Sequence, residues 1–163
     1  MTVAVPALAY ADAMAADPEL AYALLAIARY ESTYDPQAKG DYGFGGLPAW
    51  EPASFGYLQA YTRGGLGDGH PIEELLDGPS NMRIGATEIR RRLANGQSLY
   101  EAMQPWSVRP QAYALYERMM VEGIEVEGVT VATSEPIGDA PRADNALPYL
   151  VLAAAGVGVL FVA

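Results

Sequence analysis

Asp17-Pro18-Glu19 followed by Leu20, Leu24 and Ile27 constrains this chain more than any other stretch. A carboxylate able to accept backbone N–H groups, a proline with φ preset for a first turn and a first-turn acid together mark a helix start. The apolar residues then recur at helical spacing, so one stripe of the helix must be buried. Glu31 falls on that same stripe. Residues 36–53, PQAKGDYGFGGLPAWEPA, are rich in glycine and proline and end the helix near Glu31. With Tyr42, Phe44 and Trp50 among them, they read as an aromatic loop able to line a groove.

Hydrophobic residues make up 51% and aromatics 10% of the 163 residues, enough for one core in one main domain. The formal net charge is −10, and Lys39 is the only lysine. Nothing in that balance suggests a phosphate-binding surface, and no nucleic acid is expected as a partner. The same balance argues against electrostatic retention on an anionic polymer, which would have to be held by a shaped groove. There is no cysteine, so neither disulfides nor thiolate metal sites are available.

Further helices are expected. One spans roughly 80–94, with Met82, Gly85, Ile89 and Leu93 on one face and Arg83, Arg90 and Arg91 elsewhere. Gly85 would let another backbone approach closely. Ser98 to Glu101, SLYE, is a capping box, and Pro110 opens a last helix with Tyr113, Tyr116 and Met120 turned inward. No internal repeat and no convincing sheet is read. The expected fold is mainly α over residues 1–128, then a flexible linker at 129–145 and a hydrophobic segment at 146–163. The last has 18 residues without a charge and would span about 27 Å as a helix, close to a bilayer core of about 30 Å. A transmembrane segment is expected there, the alternative being a buried terminal helix or strand pair. The first 28 residues contain neither Lys nor Arg, so MTVAVPALAYADAMAA lacks the basic region of a secretory signal.

A carboxyl on an apolar face is partly desolvated, which favours its neutral form and suits a general acid. The alternative is a helix-end Glu31 reaching solvent or paired with Arg29 or Arg63. His70, the only histidine, reads as part of the turn-rich loop GGLGDGHP, and no metal or other cofactor is expected. Arg90 to Arg92 read as a solvated face with Glu88 beside Arg92.

ALLAIARYESTYDPQAKGD, ASFGYLQ and NMRIGATEIRRRL, in that order, resemble the soluble lytic transglycosylase family of the lysozyme-like superfamily, over roughly residues 18–120. The resemblance rests on Glu31-Ser32, Pro36-Gln37-Ala38, Gly56-Tyr57-Leu58-Gln59 and Asn81 to Gly85. It implies a lysozyme-like helical domain with a loop-rich substrate groove. The implied activity is cleavage of the β-1,4 bond of peptidoglycan between N-acetylmuramic acid and N-acetylglucosamine. Glu31 would be the single acid/base, with a 1,6-anhydromuramyl product. Ser32 would support the sugar or intermediate, and Ser54, Gly56, Tyr57 and Gln59 would belong to the glycan groove.

Where the family commonly has Tyr-Asn-x-Gly, this chain has Trp106-Ser107-Val108 and then Tyr113, similar to a variant in phage-associated members. Trp106, Tyr100 and Tyr113 are each eligible to orient Glu31, and Tyr113 could equally be core. Tyr42, Phe44, Trp50, Tyr57 and Tyr61 could stack on sugars or close the core. Hydrolysis would need a second carboxylate, for which Asp35, Asp41, Glu51 and Asp68 are candidates. The resemblance, the missing basic region and the apolar end together suggest a membrane-anchored component of a phage virion that opens the host wall, with other virion proteins as partners. The opposing class is a non-catalytic glycan-binding or structural virion protein on the same fold.

Overall fold

The computed structural model describes residues 2–127. The linker expected at 129–145 and the membrane segment expected at 146–163 therefore lie outside the described residues. No helix among the described residues is long and apolar enough to cross a membrane. The described chain is mainly helical, as expected, around one principal core.

At its centre is the helix that the stripe predicts. Before it come strand β1 (Val3–Val5) and helix α1 (Ala7–Ala16); α2 runs Ala21–Glu31. Leu24, Leu25, Ile27 and Ala28 have no exposed surface. The Asp17 carboxylate accepts from the N–H groups of Glu19 and Leu20 at 3.1 and 3.2 Å. It thus closes the turn before the helix, and Ala21 is the first helical residue because Leu20 sits at ψ near 0.

After α2 come β2 (Lys39–Gly40), a 3₁₀ turn (Phe44–Gly46), β3 (Ser54–Phe55) and β4 (Ala60–Tyr61). The helices α3 (Ile72–Leu75), α4 (Gly78–Ala94), α5 (Leu99–Ala102) and α6 (Arg109–Glu122) follow, and β5 (Ile124–Val126) ends the fold. Helix α4 starts on Asp77, whose side chain accepts from the Ser80 N–H at 3.2 Å, with Pro79 in its first turn. Arg90 on α4 reaches Asp17 (2.8 Å from Nη2) and Glu19 (2.7 Å), tying the start of α2 to α4. The capping box at Ser98 and Glu101 forms as expected. Glu88 binds both Arg91 and Arg92.

Three expectations are corrected. Met119, not Met120, faces the core of α6, because Ala112, Leu115 and Met119 are in phase at helical spacing; Met120 is exposed. Gly85 admits a side chain rather than a backbone: a Cβ there would lie 2.2 Å from Leu58 Cδ1. Two small sheets exist where none was read. β2, β3 and β4 form an antiparallel sheet, and β1 pairs in parallel with β5, Val3 opposite Ile124 and Val5 opposite Val126. Strands of two or three residues are too short to show alternation. The apolar N-terminal stretch thus goes into the domain itself, as β1 and as α1, which packs on α2 and α4.

Asn81, on the first turn of α4 and 1% exposed, holds the β3–β4 turn. Its Oδ1 accepts from the Leu58 N–H at 2.9 Å, and its Nδ2 donates to the carbonyls of Phe55 and Leu75 at 3.0 and 2.9 Å. Asn81→Ala should cost about 3 kcal/mol, since three buried backbone groups lose their partner at once. Chemical denaturation of both proteins measures it.

Candidate active site

The last turn of α2 sets the position of Glu31. Ser32 closes the helix: its N–H and its hydroxyl both donate to the Ala28 carbonyl at 3.1 Å. Thr33 and Tyr34 then take left-handed conformations, φ 54° and 65°, and swing the chain toward the three-stranded sheet. Asp35 serves the turn, accepting from the Gln37 N–H at 2.8 Å. Among the described residues the other non-glycine positions with positive φ are Asp41 at 50° and Gln59 at 46°. All four surround this one region. Left-handed non-glycine residues cost free energy and persist where the surrounding structure over-determines them, commonly at functional sites.

Glu31 is half-buried at the end of an otherwise buried helix face. Burial, with the negative charge of Asp41 added, pushes its carboxyl up from 4.5 to about 7. Neither arginine considered as a partner forms an ion pair with it among the described residues. The Arg29 guanidinium lies over the Tyr34 ring, 5.8 Å from its centroid, and the Arg63 stem packs beside Gly45. Asp41 directly follows β2, and its carboxylate accepts from the hydroxyl of fully buried Ser54 on β3. Burial first, and the charge of Asp41 second, thus favour the protonated form of Glu31. A carboxyl held toward its neutral form in this way suits acid catalysis.

Of the other residues singled out, Gln59 meets the sheet that leads to Asp41, and neither Glu31 nor Asp41 lines the cleft it borders. Gln59 packs against Gly40, where a Cβ would lie 2.2 Å from Gln59 Oε1, and its Nε2 donates to the Gly56 carbonyl at 3.0 Å. It also lines an open cleft of about 590 Å³ together with Tyr61, Leu66, Arg92, Pro105 and Trp106. Gly56, at φ 74°, has no room for a side chain: a Cβ would lie 2.3 Å from the Leu75 carbonyl and 2.4 Å from Asn81 Nδ2. Tyr57 was expected in the groove, yet it has no exposed surface and its hydroxyl donates to Asp12 at 2.9 Å. Ser54 likewise acts only through Asp41. Trp106 is 4% exposed, with its indole N–H donating to the Leu58 carbonyl at 3.0 Å.

Tyr100 and Tyr113 belong to a cluster on α5 and α6. Their rings meet edge to face at 5.2 Å, and Arg109 lies over Tyr100 at 4.6 Å. Neither lines the cleft. His70 pairs with Glu74 at 3.0 Å, and no group of metal-ligating side chains occurs among the described residues. The role of Asp12 under Tyr57 was missed, since nothing in the sequence pairs residues so distant. Comparison of the chain with protein-family models, curated proteins and solved structures returns no match.

A raised carboxyl pKa opposes folding once that group ionises. Below about pH 4.5 Glu31 is neutral in both folded and unfolded chains and contributes no penalty. The penalty grows through the window up to about 7 and is complete above it. Glu31→Gln should therefore stabilise the fold at pH 8 by up to about 3 kcal/mol and change little at pH 4, as read by denaturation at both values.

Proposed function

We propose that this chain cleaves peptidoglycan as a lysozyme-like lytic transglycosylase with Glu31 as its acid and base. The observation that carries the reading is a carboxyl at the end of a buried helix, raised to about 7 by burial and by the charge of Asp41, which the hydroxyl of Ser54 holds on a small antiparallel sheet. The motif residues support it, because Gly56, Gln59 and Asn81 are joined to one another by the contacts described and Gln59 packs on Gly40, next to Asp41, whose charge acts on Glu31. In the proposed reaction Glu31 protonates the glycosidic oxygen, and the bond from the anomeric carbon to that oxygen breaks. The C6 hydroxyl of the same muramyl sugar then attacks the anomeric carbon and returns its proton to Glu31, forming the 1,6-anhydro ring. Asp41 stabilises the positive charge that develops on the sugar.

Asp41 also favours a second reading, in which it takes a proton from an attacking water and the products carry reducing ends. Delivery from a virion, with residues 146–163 as a membrane anchor, belongs to the same proposal and is supported by the uncharged composition of that segment.

Mass spectrometry of digests of purified peptidoglycan tests this. Anhydromuramyl products, abolished by Glu31→Gln, are expected; reducing-end products would select hydrolysis, and no products from a folded chain would select a binding role. Because the acid must be protonated, activity should fall as pH rises through about 7. Asp41→Asn removes the charge that helps hold the proton, so the descending limb of the rate profile should move to lower pH.

A further inference from the structure

Trp50, Phe44 and Tyr42 are 79%, 62% and 51% exposed, three large aromatic side chains on one loop. The loop, residues 41–53, is tightly built. The Gly43 N–H donates to the Glu51 carbonyl at 3.1 Å, Phe44 to Asp41 at 3.2 Å, Glu51 to Pro48 at 2.9 Å and Ala53 to Gly40 at 3.0 Å. Left-handed Asp41, Gly43, Gly45 and Gly46 shape it. At Gly45 it closes on the Arg63 stem and the Tyr61 hydroxyl, which a Cβ would approach to 2.7 and 2.9 Å. The loop therefore starts at Asp41, whose charge acts on Glu31, and rests on a tyrosine that lines the cleft. Its aromatics are presented on an ordered frame, so little freedom remains to be lost on binding.

Charge narrows the occupant. Asp41 and Glu51 lie on the loop, and the whole chain carries −10, which opposes an anionic bilayer or a nucleic acid. The face of a pyranose ring is uncharged and studded with C–H groups, which pack on the electron-rich face of an aromatic ring. We propose that the 41–53 loop is a carbohydrate-docking surface that grips β-1,4-linked N-acetylhexosamine rings by their faces, beside the bond at Glu31. The inference rests on the reading of the site given above and assigns its substrate grip to Trp50, Phe44 and Tyr42.

Tryptophan emission tests it directly. Trp50 and Trp106 are the two tryptophans, and Trp106 is buried, so changes on binding report the loop. In the full chain carrying Glu31→Gln, chitohexaose should shift emission to the blue and protect it from acrylamide. Trp50→Ala should abolish both effects and weaken binding about three- to tenfold, while Trp50→Phe restores the affinity. Binding without any change at Trp50 would overturn the proposal, as would no binding of the hexaose, or the same changes produced by anionic vesicles and not by the hexaose. Product analysis of the wild-type chain separates the two claims. Glu31-dependent cleavage with a silent Trp50 sinks the loop alone, and a responsive Trp50 without cleavage sinks the catalytic reading alone.

Discussion

One side-chain amide joins the pieces on which the site depends. Asn81 satisfies the Leu58 N–H and the carbonyls of Phe55 and Leu75, so the β3–β4 turn, the end of α3 and the start of α4 meet at a single buried group. A buried polar network is stabilising only when its members are paired, and this one leaves no capacity of the amide unused except one lone pair. The neighbouring residues are shaped to it. Gly56 lacks the Cβ that would strike Asn81, Leu58 fills the space above Gly85, and Trp106 donates to the Leu58 carbonyl. Through this clip the turn delivers Gln59 against Gly40, and β3 delivers Ser54 to Asp41.

The candidate site works against the stability of its own fold. Glu31 is withdrawn from water on a helix whose other buried residues are apolar, and the charge of Asp41 adds to the cost of ionising it. Thr33, Tyr34, Asp41 and Gln59 all hold a backbone conformation that favours glycine. Each is a local cost that the core formed by α1, α2, α4 and α6 must offset. A surface carboxylate in a relaxed turn would avoid all of it, and would also be ionised and mobile at neutral pH. That concentration of unfavourable features in one place is what supports a catalytic reading over a purely structural one.

The ends of the described chain close on each other. β1 and β5 are separated by nearly the whole fold, and the Glu127 N–H donates to the Val5 carbonyl at 2.9 Å. Val5 and Val126 are buried together with the α1, α2 and α6 residues, so the N-terminal segment contributes to the same core that supports Glu31. The apolar stretch from Val3 to Ala16 is an integral layer of the domain.

Local rules made the helices readable. Asp17-Pro18, Asp77-Gly78-Pro79, the Ser98–Glu101 box and Pro110 act within a few residues, and each lies where a helix begins or nearly so. The stripe ending in Glu31 was legible for the same reason, as was the desolvation that follows from it. Other features were decided by contacts between distant residues, which leave no local signature. Tyr57 became interior because Asp12 accepts its hydroxyl; Asp41 came to bear on Glu31 where β2 pairs with β3, which also brings Ser54 to it. The sequence by itself determined that α2, α4, α5 and α6 are helical, because caps and periodicity are short-range; it left α1 and α3 unread, as well as the burial of Ala23 to Ala28 all round α2. Only the tertiary structure decided the two sheets, the second carboxylate and which aromatics remain exposed, because short strands and charge pairs are specified by the neighbours that folding supplies.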